Sequence, residues 1–149
     1  RTGEKNGDPY LFISPEEFKQ KIENDEFLEY ACVHGEHFYG TLKQTLLDPV
    51  EEGKIVVKEF DVQGFEQAKE KLPEDLFTSI FLMPAEDIDD LVERIKARAP
   101  ISDKELKKRV ESMTKELDKA DIYNYIILSE RGKIDKMVSN TLAVILGLE

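Results

Sequence analysis

The sequence predicts an α/β protein in which crossover helices link the strands of a parallel sheet. Three observations carry that expectation. The β-branched run Ile55-Val56-Val57-Lys58-Glu59-Phe60 reads as a strand, Phe65, Ala68 and Leu72 follow at helical spacing, and a second apolar run over 76–83 closes at Pro84. Strand, helix and strand in succession join parallel neighbours, and such sheets hold ligands outside the carboxyl ends of their strands.

In chain order, residues 1–8 are polar and glycine-punctuated, as a loop is, and Tyr10-Leu11-Phe12-Ile13 reads as a short strand. Ser14-Pro15-Glu16-Glu17 starts a helix: the serine can cap, proline suits the first helical position, and Glu17 stands three residues after the cap. Phe18 and Ile22 supply its apolar face. Residues 27–33 and 36–39 predict two short strands joined at His34-Gly35, and a helix through Leu42, Leu46 and Leu47 runs to about Glu52 before Gly53. After the strand at 76–83, Ile88, Leu91, Val92 and Ile95 mark a helix whose first turn carries Glu86 and Asp87, where its dipole favours acids. Pro100 stops it. A charged helix over 102–119 buries Leu106, Val110, Met113 and Leu117, Ile126-Ile127-Leu128 forms a strand, and a helix over 134–146 closes the chain.

Composition narrows the function classes. The 149 residues are 40% hydrophobic, enough for one globular core, and 36% charged with a formal net charge of -11, so a polyanionic nucleic acid meets a repulsive field. A small anionic ligand remains compatible, because salt screens distant acids beyond about 10 Å. The single cysteine, Cys32, cannot form an internal disulfide and is expected in the core. The two histidines show no metal-site spacing with it, and a cytoplasmic setting is the expectation. No apolar run reaches the roughly 20 residues that span a bilayer. The phosphate-loop pattern G-x-x-x-x-G-K-[ST] occurs nowhere among the eight glycines.

The chemistry-bearing residues cluster in order. Arg1-Thr2-Gly3-Glu4, Ser14-Pro15-Glu16-Glu17-Phe18, Phe27-Leu28-Glu29-Tyr30, Tyr39-Gly40-Thr41 and Asp61-Val62-Gln63-Gly64 stand in the order and approximate spacing found in guanylate kinases, which the chain resembles over nearly its whole length. The resemblance implies an α/β parallel-sheet P-loop kinase core with a small GMP-binding segment and a helical lid. On that plan residues 1–53 bind GMP, 54–84 and 120–149 form the core, and 85–119 form the lid with its flanking helices. It implies phosphoryl transfer from Mg2+-ATP to GMP by a monomer or homodimer, with no nucleic-acid or membrane partner. The family's first core strand, between the strands at 55–60 and 76–83, would be lacking here with the phosphate loop. These 149 residues alone are therefore expected to be inactive and less stable.

Carried over residue by residue, Arg1 resembles an arginine that holds the GMP phosphate, and Tyr10 and Tyr39 resemble the tyrosines whose hydroxyls orient it. Glu29 matches the carboxylate that accepts from guanine N1–H and the 2-amino group. Adenine offers no such pair of donors, so it would leave that carboxylate unpaired. Thr41 stands where the family has a hydroxyl near guanine O6, and Glu59 and Asp61 stand at the acidic strand end facing the acceptor and its magnesium. Arg94, Arg98 and Arg109 resemble lid arginines that compensate charge on the transferring phosphoryl group, and Ser129 replaces an asparagine near the adenine. Two family glycines near Arg98 are here Ala97 and Ala99. Taken singly, Glu29 reads better as a solvated strand acid, the two tyrosines are half-buried core, and the arginines are surface partners of Glu93, Glu105 or Glu111. A second function class is a non-catalytic guanylate-kinase-like module that binds a phosphorylated peptide or protein in the same pocket.

Overall fold

The structure, a computed structural model, describes residues 5, 6, 9–33, 37–84 and 87–148, in two compact units, 1–72 and 73–149. The turn expected at His34-Gly35 and the acidic Glu86 lie outside the described residues.

In the first unit, β1 (Lys5–Asn6) and β2 (Pro9–Tyr10) form a two-residue parallel ladder. The strand expected over 10–13 stops there, and Leu11 and Phe12 are exposed. Helix α1 (Pro15–Glu23) begins as its sequence dictates: Ser14 Oγ accepts from Glu17 N–H at 3.1 Å. Phe18 turns inward from α1 and stacks on Phe27 with ring centroids 4.3 Å apart, while Phe38 lies 5.3 Å away. Asp25, at φ 53, makes the left-handed turn into β3, a conformation aspartate tolerates better than most residues.

Strand β3 (Phe27–Val33) pairs antiparallel with β4 (His37–Leu42), setting Glu29 opposite Thr41, Tyr30 opposite Gly40 and Ala31 opposite Tyr39. The register shifts between Phe27 and Glu29, and the consecutive Phe27 and Leu28 are both buried, a combination that regular alternation forbids and a bulge permits. Gly40 has no substitute here: a β-carbon on it would lie 2.8 Å from the Glu29 carbonyl oxygen and 2.9 Å from the Phe27 ring. Cys32, expected in the core, is exposed; the aromatic cluster around Phe18 takes in Phe27, Tyr30 and Phe38 and leaves it uncovered.

Helix α2 (Gln44–Glu51) follows, with Leu42 belonging to β4 rather than to the helix as expected. Residues 55–60 are not the predicted strand. They form no ladder, and Ile55 and Val57 are 68% and 70% exposed. Strand propensity reflects packing and pairing on a sheet, and no described segment pairs with this one. Helix α3 (Val62–Lys71) then buries Val62, Phe65 and Ala68.

The second unit opens with a single 3-10 turn at Glu74–Leu76, so the strand expected over 76–83 is confined to β5 (Ile80–Met83). Helix α4 (Ile88–Arg98) starts at Asp87, whose carboxylate accepts from Asp90 N–H at 2.8 Å, and ends at Ala99 before Pro100. Helix α5 (Asp103–Leu117) is capped by Ser102. Leu91 and Ile95 of α4 are buried against Ile101, Leu106, Val110 and Met113, the stripe that helical spacing predicts. A 3-10 turn at Ala120–Ile122 leads to β6 (Tyr125–Leu128), and α6 (Ile134–Leu146) closes the unit. Strand β6 lies parallel to β5, Ile80 opposite Tyr125 through Met83 opposite Leu128. Buried Ser79 locks the start of this pair: its N–H and hydroxyl both donate to Asn124 Oδ1, at 2.9 and 2.8 Å. The architecture is mixed α/β with a small parallel sheet, and helices dominate it.

Candidate functional site

The first unit assembles a carboxylate site on one face of the β3–β4 hairpin. Cross-strand partners share a face, so Glu29, Ala31, Tyr39 and Thr41 stand together while Tyr30 and Phe38 turn to the aromatic cluster on the other. Thr41 Oγ1 donates to Glu29 Oε1 at 2.5 Å, and both side chains are half-buried. A hydroxyl carries one proton, so while Thr41 serves Glu29 it has none for a ligand carbonyl. The ionised carboxylate keeps acceptor capacity on both oxygens.

Helix α3 forms the floor beside Glu29. Asp61 caps it, accepting from Gly64 N–H at 2.7 Å, and Gly64 is buried between the Asp61 and Glu29 carboxylates. The positive end of the helix favours both anions. Two turns of α3 are clipped to the free edge of β3. Gln67 accepts from Tyr30 N–H at 3.2 Å and donates to Tyr30 C=O at 3.1 Å, replacing a ladder rung with a side-chain amide. Lys71 Nζ donates to Phe27 C=O at 2.7 Å and lies 3.5 Å from Asp25, whose carboxylate also binds Lys43. Lys43 first and Lys71 second hold the Asp25 carboxyl below its ordinary pKa.

Of the residues singled out from sequence, Glu29, Thr41 and Asp61 are thus gathered. Tyr39 shares their face with its side chain exposed, Tyr10 is exposed on β2, and Glu59 is exposed in the irregular segment before α3. Arg1 lies outside the described residues. Gly64, Gln67 and Lys71 escaped notice as site residues. A glycine in the first turn of a capped helix is a weak sequence signal, since glycine disfavours helix and stays there for a reason of space.

In the second unit Arg94 is firmly engaged: its Nε donates to Asp90 Oδ2 at 3.0 Å and a terminal nitrogen to the Ser129 carbonyl oxygen at 2.7 Å. Helix α4 is thereby tied to the end of β6. Arg98 and Arg109 are exposed. The acids named above as their possible surface partners have other bonds: Glu93 with Arg131 at 3.2 Å, Glu111 with Lys107 at 3.9 Å, and Glu105 with its cap Ser102. Among the described residues no three His, Cys, Asp or Glu side chains gather to hold a metal, and no helix is long and apolar enough to cross a membrane.

Fold and site together define an α/β protein with a helix-backed carboxylate and hydroxyl pair suited to reading a ligand's polar edge. The guanylate kinase family model matches residues 1–146, and the chain belongs to that family. It is 42% identical to a guanylate kinase of Caldanaerobacter subterraneus subsp. tengcongensis over 98% of this chain and 68% of that protein. It is 35% identical to one from Fusobacterium nucleatum, over 97% and 75% of the two chains. For one from Clostridium tetani the figures are 38%, 88% and 61%, so the chain spans about two thirds of the length of these curated relatives. Among solved structures, guanylate kinase from Anaplasma phagocytophilum superposes with a TM-score of 0.68 at 30% identity, covering 97% of this chain and 69% of that one.

Proposed function

We propose that this chain supplies the acceptor site of an ATP:GMP phosphotransferase, the reaction yielding ADP and GDP. The observation that carries this reading is the Glu29 carboxylate, held by Thr41 on one side and backed by the α3 N-terminus on the other. Its two acceptor oxygens suit the adjacent N1–H and 2-amino donors of guanine, and guanine O6 competes with Glu29 for the single Thr41 proton. Tyr10, Tyr39 and Arg1 are assigned to the GMP phosphate, with Glu59 and Asp61 at the acidic approach to it.

Phosphoryl transfer asks a protein mainly for position and charge compensation. Exposed Arg98 and Arg109, on α4 and α5, are assigned to the transferring phosphate, and Arg94 holds the Ser129 end of β6 on the adenine side. Magnesium enters as part of Mg2+-ATP. That ion is carried chiefly by phosphate oxygens and water. Residues 1–53 are assigned to GMP binding, 54–84 and 120–149 to the core, and 85–119 to the lid, in a cytoplasmic monomer or homodimer whose net charge of -11 opposes polyanions.

Calorimetric titration with GMP and AMP tests the reading. GMP is expected to bind and AMP to bind at least tenfold more weakly; equal affinity, or phosphopeptide binding in place of GMP, overturns it. Because these 149 residues contain no G-x-x-x-x-G-K-[ST] stretch, GMP binding without GDP formation is expected of them alone.

A further inference from the structure

We propose that Gln67 is a specificity-determining positioning residue, whose side-chain amide holds the peptide that follows Glu29 and so fixes the guanine-reading carboxylate relative to α3. This inference rests on the acceptor-site reading above. Successive residues of an antiparallel strand turn their N–H and C=O alternately toward the paired strand and away from it. Tyr30 turns both away from β4, to an edge that no described strand covers, and the Gln67 amide meets them there. Its Oε1 accepts from Tyr30 N–H at 3.2 Å and its Nε2 donates to Tyr30 C=O at 3.1 Å. The first of these bonds is made to the Glu29–Tyr30 peptide itself.

The other contacts of Glu29 leave its place against the helix open. Thr41 Oγ1 ties Glu29 Oε1 to β4 and fixes nothing relative to α3. On the helix side Glu29 lies in van der Waals range of Gly64, where a β-carbon would be 3.4 Å from Oε2 and 3.5 Å from Cγ. Such contact sets no direction, whereas a hydrogen bond does. Gly64, Gln67 and Lys71 follow one another at one-turn spacing and form the face that α3 presents to β3. Of the three, Gln67 alone bonds the peptide beside Glu29. The hairpin moves as a unit, because Gly40 approaches Glu29 so closely that a β-carbon on it would lie 2.8 Å from the Glu29 carbonyl oxygen. Loss of the Gln67 bonds therefore lets the hairpin draw back from α3, admitting water to the Tyr30 edge and carrying Glu29 from the Asp61-capped helix start.

The test is calorimetric titration of the full 149-residue chain with GMP and with IMP, which lacks the 2-amino group. A two-bond contact demands the angle of the carboxylate more strictly than a one-bond contact does. Gln67→Met removes both bonds at similar length and is expected to weaken GMP by about tenfold and IMP by less than about threefold, so that the preference for GMP falls. In a Glu29→Gln background the same change is expected to leave the preference where Glu29→Gln put it, the non-additivity of residues acting through one contact. Ser14→Ala removes the cap of α1 and is expected to lower the melting temperature while keeping the preference, which separates position from stability. Should Gln67→Met fail to fold by circular dichroism, Gln67→Glu keeps an acceptor for Tyr30 N–H, sets another against the Tyr30 carbonyl oxygen, and is expected to lower the preference in its place. An unchanged preference in a folded variant, or an equal fall with Ser14→Ala, overturns the proposal alone. Absence of GMP binding by the unaltered chain overturns the acceptor reading and this inference with it.

Discussion

Replacing Glu29 with glutamine changes the proposed guanine reader by one atom. Thr41 Oγ1 donates to Glu29 Oε1 at 2.5 Å, and an amide can keep that bond only by placing its oxygen there. The amide nitrogen then takes the Oε2 position beside Gly64 and presents a donor to a donor of guanine. One charge-assisted bond is lost, about 1.5–3 kcal/mol, and a stranded donor adds about 1–3 kcal/mol. The sum is roughly 2.5–6 kcal/mol, or about 70-fold to 20,000-fold in GMP affinity. Isothermal calorimetry on the unaltered chain and Glu29→Gln measures it directly. Because Thr41 keeps its acceptor, the melting temperature should shift by only a few degrees. GMP affinity within about threefold of the unaltered chain would refute the reasoning, and a collapse of the melt without selective loss of GMP would make Glu29 a structural acid.

Two further outcomes follow from the second unit. Asn124→Ala removes the acceptor for both donors of buried Ser79, and urea denaturation should show a loss of about 1–3 kcal/mol. The double variant with Ser79→Ala should cost less than the two single changes added, since it removes one stranded donor. Glu130 is bonded by Lys133 and, at 2.6 Å, by Lys136, and these lysines hold its carboxyl down to about 2. Its folded pKa is below its unfolded one, so its contribution is fully present above the ordinary value of 4.5 and fades as pH falls toward 2. Carboxyl NMR titration of Glu130 should show the low midpoint, and Lys133→Ala should raise it more than Lys136→Ala.

Local chemistry was legible in the chain. Ser14-Pro15 predicted the start of α1, the spacing of Leu91 and Ile95 with Leu106, Val110 and Met113 predicted the α4–α5 packing, and Glu29 and Thr41, singled out together, stand opposite each other across β3 and β4. Each of these depends on residues a few positions apart, or on side-chain types that carry their chemistry wherever they stand. Residues 55–60 show the limit: their β-branched composition reads as a strand, yet a ladder needs a neighbour, and no described segment supplies one.

By itself, then, the sequence determined the helix starts, the apolar stripes, the α/β class and the acids and hydroxyls that the proposed acceptor site uses. Only tertiary structure decided which of them meet. Arg94 finds the Ser129 carbonyl across 35 positions and Gln67 clips Tyr30 across 37. Gly64 is buried where a β-carbon would lie 3.2 Å from Asp61 Oδ1 and in contact with the Glu29 side chain. Those contacts arise where α3 packs against the edge of β3 and α4 against the end of β6, and spacing along the chain carries no record of that packing.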